Sequence, residues 1–256
     1  MRTEPSSAGL VASHRLVAFT AAAGAEIDRL FRAAMAAAGR AGGPGLRSRH
    51  AAAHGVLIEF RTALVRPDGF VSAACLAETT RYRDPGSVEA ELIDAVDRGA
   101  IIRDADGTIR PTVAGHAFLG DVYATQALAL ASRWPDEVCA RVSAIALELV
   151  AAAAAAPVMR EGAFAAMTPT WEPPGTPATV LLLNRLSALR YHRSDAHATA
   201  WREAGLTATQ MIALQDAGGP MRDAIETRTN EIASPPFAIL DDRAGELLLS
   251  DIRSLG

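Results

Sequence analysis

Lysine is missing altogether: all 25 basic residues of this 256-residue chain are arginine. Without a lysine amine the chain cannot form a Schiff base or hold pyridoxal phosphate covalently. Nor can it build the nucleotide-binding loop that sets a lysine against phosphates. Cysteine is scarce too, since Cys75 and Cys139 stand far apart with no CxxC spacing. That argues against a disulfide framework and a thiolate zinc site, and for a reducing cytoplasm. Long apolar runs are also lacking. The longest, from Leu147 to Val158, is mostly alanine, is interrupted by Glu148 and carries Pro157 near its end. It falls well short of the roughly 20 residues that span a bilayer, so no membrane span is expected. The first residues include Glu4 and show no apolar core with a small-residue cleavage site, so no signal peptide is expected. GxSxG, GxGxxG and paired-carboxylate motifs are absent as well.

What remains is the composition of a globular protein: 50% hydrophobic, 21% charged, net charge −4. Abundant alanine with only 5% aromatics favours helix, because alanine has the highest helix propensity. The expected fold is mainly α: a winged helix-turn-helix with a small β-wing plus a C-terminal helical bundle. Two domains are expected, 1–134 and 135–256. Apolar spacing predicts a helix from Val11 to the glycine-rich stretch Gly39–Gly45, and a second from Ser48 to about Val65. Later helices are predicted over 114–132, from Pro135 through the alanine run, and over 179–203, 207–216, 220–233 and 236–254. Met167–Pro177, reading MTPTWEPPGTP, is irregular and serves as a linker or lid.

The segment from Phe70 to Tyr123 gives the clearest architecture. A short helix (Ser72–Thr80) is followed by a turn at Asp84-Pro85-Gly86 and a helix (Ser87–Arg98). A strand (Ala100–Arg103), a tip at Asp104–Gly107 and a returning strand (Thr108–Thr112) complete it. Leu76-Ala77, Gly99–Ile102, Asp106-Gly107 and Pro111-Thr112 with Gly115 resemble the winged-helix core of MarR-type regulators. The resemblance implies a helix-packed homodimer and a helix placed to read DNA. Yet that helix carries Glu89, Glu91, Asp94 and Asp97 behind Asp84, against one arginine, Arg98. Phosphates would repel it, so DNA is a disfavoured partner, with Arg81, Arg83, Arg103 and Arg110 left to make backbone contacts.

The candidate site lies in Leu181–Trp201. At about 100° per residue, Leu183, Leu186, Arg190, Arg193, His197 and Trp201 share one stripe, apolar at its start and cationic at its end. Buried arginines need partners, either the protein's own carboxylates or an anionic ligand whose aromatic body stacks on Trp201. Tyr191 joins Arg190, Arg193 and Trp201 as a ligand-contacting side chain. On another face, His192 and Asp195 stand three apart, so the carboxylate can hold the imidazole in one tautomer for general-base work. With His197 they form the candidate catalytic set. His192 and His197 are about 140° apart around the helix, which does not suit one shared metal.

His192-Arg193-Ser194-Asp195-Ala196-His197, Ala204-Gly205-Leu206 and Glu226–Pro236 resemble the SalK-like family of actinobacterial proteins, although the wing precedes the histidine helix here. That resemblance implies a ligand-binding or enzymatic pocket around these polar residues. His50 and His54, at i and i+4, share one helix face with metal-ligand spacing, though a chance pair on a solvated face next to Arg47 and Arg49 accounts for the spacing better. The cofactor expectation is therefore a divalent metal ion or haem. The function expected is binding of an anionic small molecule, as an enzyme of actinobacterial metabolism. The alternative is a MarR-like regulator that releases DNA on binding its ligand.

Overall fold

The computed structural model describes residues 7–50 and 55–256, and among these the protein is mainly helical with one two-stranded sheet. The helices, in chain order, are α1 (Ser7–His50), α2 (Gly55–Glu59), α3 (Arg61–Leu64), α4 (Ala73–Thr80) and α5 (Pro85–Asp97). Strands β1 (Ile101–Arg103) and β2 (Ile109–Pro111) follow. Then come α6 (Val113–Ala131), α7 (Asp136–Ala155), α8 (Ala163–Met167), α9 (Ala178–Glu203), α10 (Ala208–Ala217), α11 (Pro220–Ala233) and α12 (Asp242–Ser254). A 3-10 turn, Pro235–Ile239, separates the last two helices.

The start signals are local. Ser72, Asp84, Thr112, Thr207 and Asp241 each accept a backbone N–H of the helix they open, and Thr207 with Gln210 closes a full capping box. β1 and β2 pair antiparallel, with Ile101 opposite Pro111 and Arg103 opposite Ile109. Gly107 turns the tip at φ +84°, a conformation that favours glycine.

One expected boundary moves. The helix predicted to stop before Gly39–Gly45 runs on as α1 to His50, through Pro44. The glycines there serve packing instead of termination: a Cβ on Gly42 would stand 2.0 Å from Thr125 Cγ2 of α6. The helix predicted from Ser48 to Val65 is accordingly divided, its first residues belonging to α1 and its last to α2 and α3.

α9 is the central post, packed by α7, α11, α8, α1 and α6. From Leu182 to Leu189 it is buried on every side, as befits a helix enclosed by others. The main apolar cluster joins Leu30, Phe60, Phe118, Leu149, Leu182 and Leu186, so it crosses the boundary expected near residue 134. A smaller cluster of Trp201, Met211 and Ile225 closes the far end of α9. Among the described residues only α7 is long and apolar enough to cross a membrane, by length and composition. Its Cys139, Val142, Ala146, Leu149 and Ala153 are buried in the protein.

Candidate functional site

Where α1, α9 and α11 meet, they leave a cavity of about 430 Å³. α9 supplies Arg190, His192, Arg193 and His197; α11 supplies Arg222 and Glu226; the residue following the α4 turn, Tyr82, closes one side. Gly24 of α1 permits the close approach. A Cβ there would sit 2.8 Å from Arg193 Cδ, so glycine lets the arginine lie flat against the helix.

His192 is 2% exposed, and neither of its ring nitrogens has a well-aligned hydrogen bond with a described residue, the Ala233 backbone being a poorly aligned polar neighbour. Phe164 holds the ring edge-on at 5.6 Å. Burial lowers the pKa of His192, opposed in part by the Ala233 backbone and the Asp195 charge, so the ring is neutral near pH 7. A buried polar ring without a well-aligned partner is costly, on the order of 1–3 kcal/mol for each unsatisfied group.

His197 is set by a relay. Trp201 Nε1–H donates to the Tyr82 hydroxyl at 2.9 Å, and that hydroxyl lies 2.6 Å from His197 Nδ1. Tyr82 has no other acceptor among the described residues, so its proton goes to Nδ1 and the neutral imidazole carries its own proton on Nε2. Nε2 lies 3.7 Å from Glu226 Oε1, too far for a hydrogen bond, and is left unpartnered. Desolvation lowers the pKa of His197, the Glu226 carboxylate opposing it and the nearby Arg193, Arg81 and Arg222 reinforcing it.

Arg193 Nη2 donates to Glu226 at 2.7 Å and to Asn230 at 3.1 Å, yet its Nε stays unpartnered. Arg190 donates to Asp28 at 2.7 Å and lies over Phe31 and Tyr191. Arg222 makes no hydrogen bond or ion pair with another described residue. The cavity thus holds three guanidinium groups against two carboxylates, Asp28 and Glu226, with two neutral imidazoles between them. Its field favours an anion.

The expected set is only partly brought together. Arg190, His192, Arg193 and His197 share the cavity, but Asp195 does not line it. Asp195 accepts Arg81 Nη2 at 2.9 Å and the backbone N–H groups of Ala163 and Phe164, each at 3.0 Å, so it caps α8 instead of orienting His192. Trp201 lies outside the cavity, packed in the small cluster beneath Arg202. Tyr191 is buried and faces a neighbouring cavity.

His50 Nε2 bonds Asp121 at 2.9 Å and its ring packs edge-on against Phe118, so it joins neither His192 nor Asp195. His54 lies outside the described residues. No group of three or more His, Cys, Asp or Glu among the described residues is arranged to hold a metal ion.

Tyr82, Arg222 and Gly24 are site residues that sequence reasoning did not single out. Glu226 opens the Glu226–Pro236 motif and was within reach. Gly24, a glycine inside an alanine-rich helix, carried a signal as well, because it costs roughly 1 kcal/mol against alanine unless something needs the space.

No family model matches the chain, and no curated protein or solved structure matches it.

Proposed function

We propose that the protein binds a small organic anion in the α1–α9–α11 cavity, with Arg193 and Arg222 holding its charge and the two imidazoles exchanging protons with it. One observation carries this reading: His192, His197 and Arg193, each with a buried nitrogen that has no hydrogen-bond partner, line the same cavity. Buried polar atoms are ordinarily satisfied, and a ligand that carries acceptor oxygens and an exchangeable proton would supply the partners missing here. Asp28 and Glu226 leave one cationic charge in excess for that ligand. The imidazole pair gives the site the acid–base groups that an enzyme acting on such an anion would use. Aromatic stacking would come from Phe237 at the cavity wall and not from Trp201.

Isothermal titration with benzoate and with inorganic phosphate tests it. The expected result is saturable binding of at least one, weakened about tenfold or more in Arg193→Gln and in Arg222→Gln, as for loss of a charge-assisted hydrogen bond. Saturable binding of neither, or binding indifferent to both substitutions, would defeat the proposal.

We further read α4, α5 and the β1–β2 hairpin as a winged-helix module that packs against the rest of the chain and does not read DNA. Each arginine that could meet phosphates is engaged at home: Arg81 with Glu78 and Asp195, Arg83 with Glu91, Arg103 with Glu89 and Arg110 with Asp104.

A further inference from the structure

A second cavity of about 440 Å³ lies on the other side of a wall made by Tyr82, Arg190 and Ser194, residues that also face the first. Arg61 lines it, 1% exposed and without a carboxylate hydrogen-bond partner among the described residues. Its Nη1 donates to the Ile58 carbonyl at 3.2 Å, and its guanidinium lies 5.8 Å from the centre of the Phe31 ring. Nε and Nη2, the remaining edge, are both buried and unpartnered. A buried guanidinium whose N–H groups are left without hydrogen-bond partners is a costly arrangement in a protein interior.

The same chain shows what that edge is for. Arg185 offers Nε and Nη2 to the two oxygens of Glu172, and Arg141 offers the same pair to Asp251. Arg228 does so to Glu203. In all three, the fork of two parallel N–H groups is filled by one carboxylate. Arg61, with the identical fork unfilled, lines a cavity that combines the apolar and aromatic Phe31, Met35, Ile58 and Tyr191 with the charged Glu59, Arg83 and Arg190.

We infer that this cavity is a second ligand site, taking the carboxylate of an organic acid with an apolar or aromatic body, bound side-on by Arg61. The acid's two oxygens fill the Nε and Nη2 positions, and its body lies among Phe31, Met35, Ile58 and Tyr191. The Ser194 hydroxyl, which accepts Arg81 Nη2 at 2.9 Å, stands at the wall shared with the first cavity. Glu59, two residues from Arg61, interacts with its charge but makes no ion pair with another described residue, and burial pushes its carboxyl above the usual range against the pull of Arg190, Arg61 and Arg83. The inference stands apart from the proposal for the first cavity, because it rests on different nitrogens.

The test uses the full chain with benzoate, and with benzamide as its uncharged counterpart. In a background of Arg193→Gln and Arg222→Gln, which removes the anion grip of the first cavity, benzoate still binds one equivalent and benzamide does not. Adding Arg61→Met weakens benzoate about tenfold or more, while thermal stability holds or rises because an unpaired buried charge has been replaced by an apolar chain. Glu59→Gln guards against misfolding of the arginine variant: it leaves benzoate affinity equal or tighter and stability unchanged. Benzoate binding that survives Arg61→Met, or that is absent in the double-variant background, would overturn the inference. So would marked destabilisation by Glu59→Gln, which would make Glu59 the counterion and leave no vacancy to fill.

Discussion

Asp195 illustrates how a side chain legible as catalytic can be structural. Three residues after His192 on a helix, it is within reach of the imidazole, and that spacing supports a histidine–carboxylate pair. The structure turns it to Arg81 and to the first two N–H groups of α8, which have no intrahelical partner of their own. Gly162 makes room for it, since a Cβ there would lie 2.2 Å from Asp195 Oδ2. These partners come from segments about 30 and more than 100 residues away, and helical spacing has no way to announce them. Replacing Asp195 with alanine should leave two buried N–H groups unsatisfied and strip Arg81 of one of its two carboxylates. We expect a loss of about 3–5 kcal/mol in chemical denaturation, the usual cost of removing one member of a buried ion pair. A loss under about 1 kcal/mol, the worth of an exposed pair, would show the contact to be idle.

Elements were more legible than residues where the chain carries its own punctuation. α11 begins at Pro220, which suits the first helical position, and ends at Ala233 before two prolines, as the sequence predicts. Gly115 is equally explicable once the hairpin is in place: the Ala100 carbonyl oxygen stands 2.1 Å from where its Cβ would be, so β1 can reach the start of α6 only if that residue has no side chain. α1 was harder. Glycine signals a stop when nothing packs on it and a close crossing when a neighbouring helix does, and the two look alike until α6 is seen to press on Gly42.

α5 carries the element-scale prediction. Its Glu89 and Glu91 already hold the arginines of the wing and the preceding turn, so binding DNA would mean breaking these pairs before repelling or reorganising the carboxylates themselves. A gel-shift assay at low salt, against DNA from upstream of its own coding region, should give no specific complex. A complex that resists competitor DNA and is lost in Arg103→Ala would restore the regulator reading.

At the scale of the whole molecule, both cavities exist because a long N-terminal helix is laid against the end of a C-terminal one. Gly24, Tyr82, Arg193 and Glu226 are brought within one small volume from four distant stretches of chain. The cationic stripe of α9 pointed to the site, since Arg190, Arg193 and His197 do face a common space. Its other walls depended on tertiary packing that no local pattern encodes. That geometry also decides which histidines matter: His192 and His197 are enclosed with unpartnered nitrogens, while His50 is satisfied by Asp121 at the far end of α1.

The most direct measurement is nitrogen NMR of the imidazole side chains through a pH titration, with and without benzoate or phosphate. In the free protein, burial depresses the folded-state pKa of both rings below the ordinary histidine value of about 6.5. The unfolded chain therefore takes up protons first as pH falls, and stability declines through and below about pH 6.5. An anion seated beside the rings favours the imidazolium, so its binding should raise both pKa values and its affinity should tighten as pH falls. We predict that His192 titrates below the ordinary histidine value of about 6.5 in the free protein and moves saturably, with a raised pKa, when at least one of the two anions is added. Imidazole signals that titrate at the ordinary value and ignore both anions would contradict the existence of an anion site at this cavity.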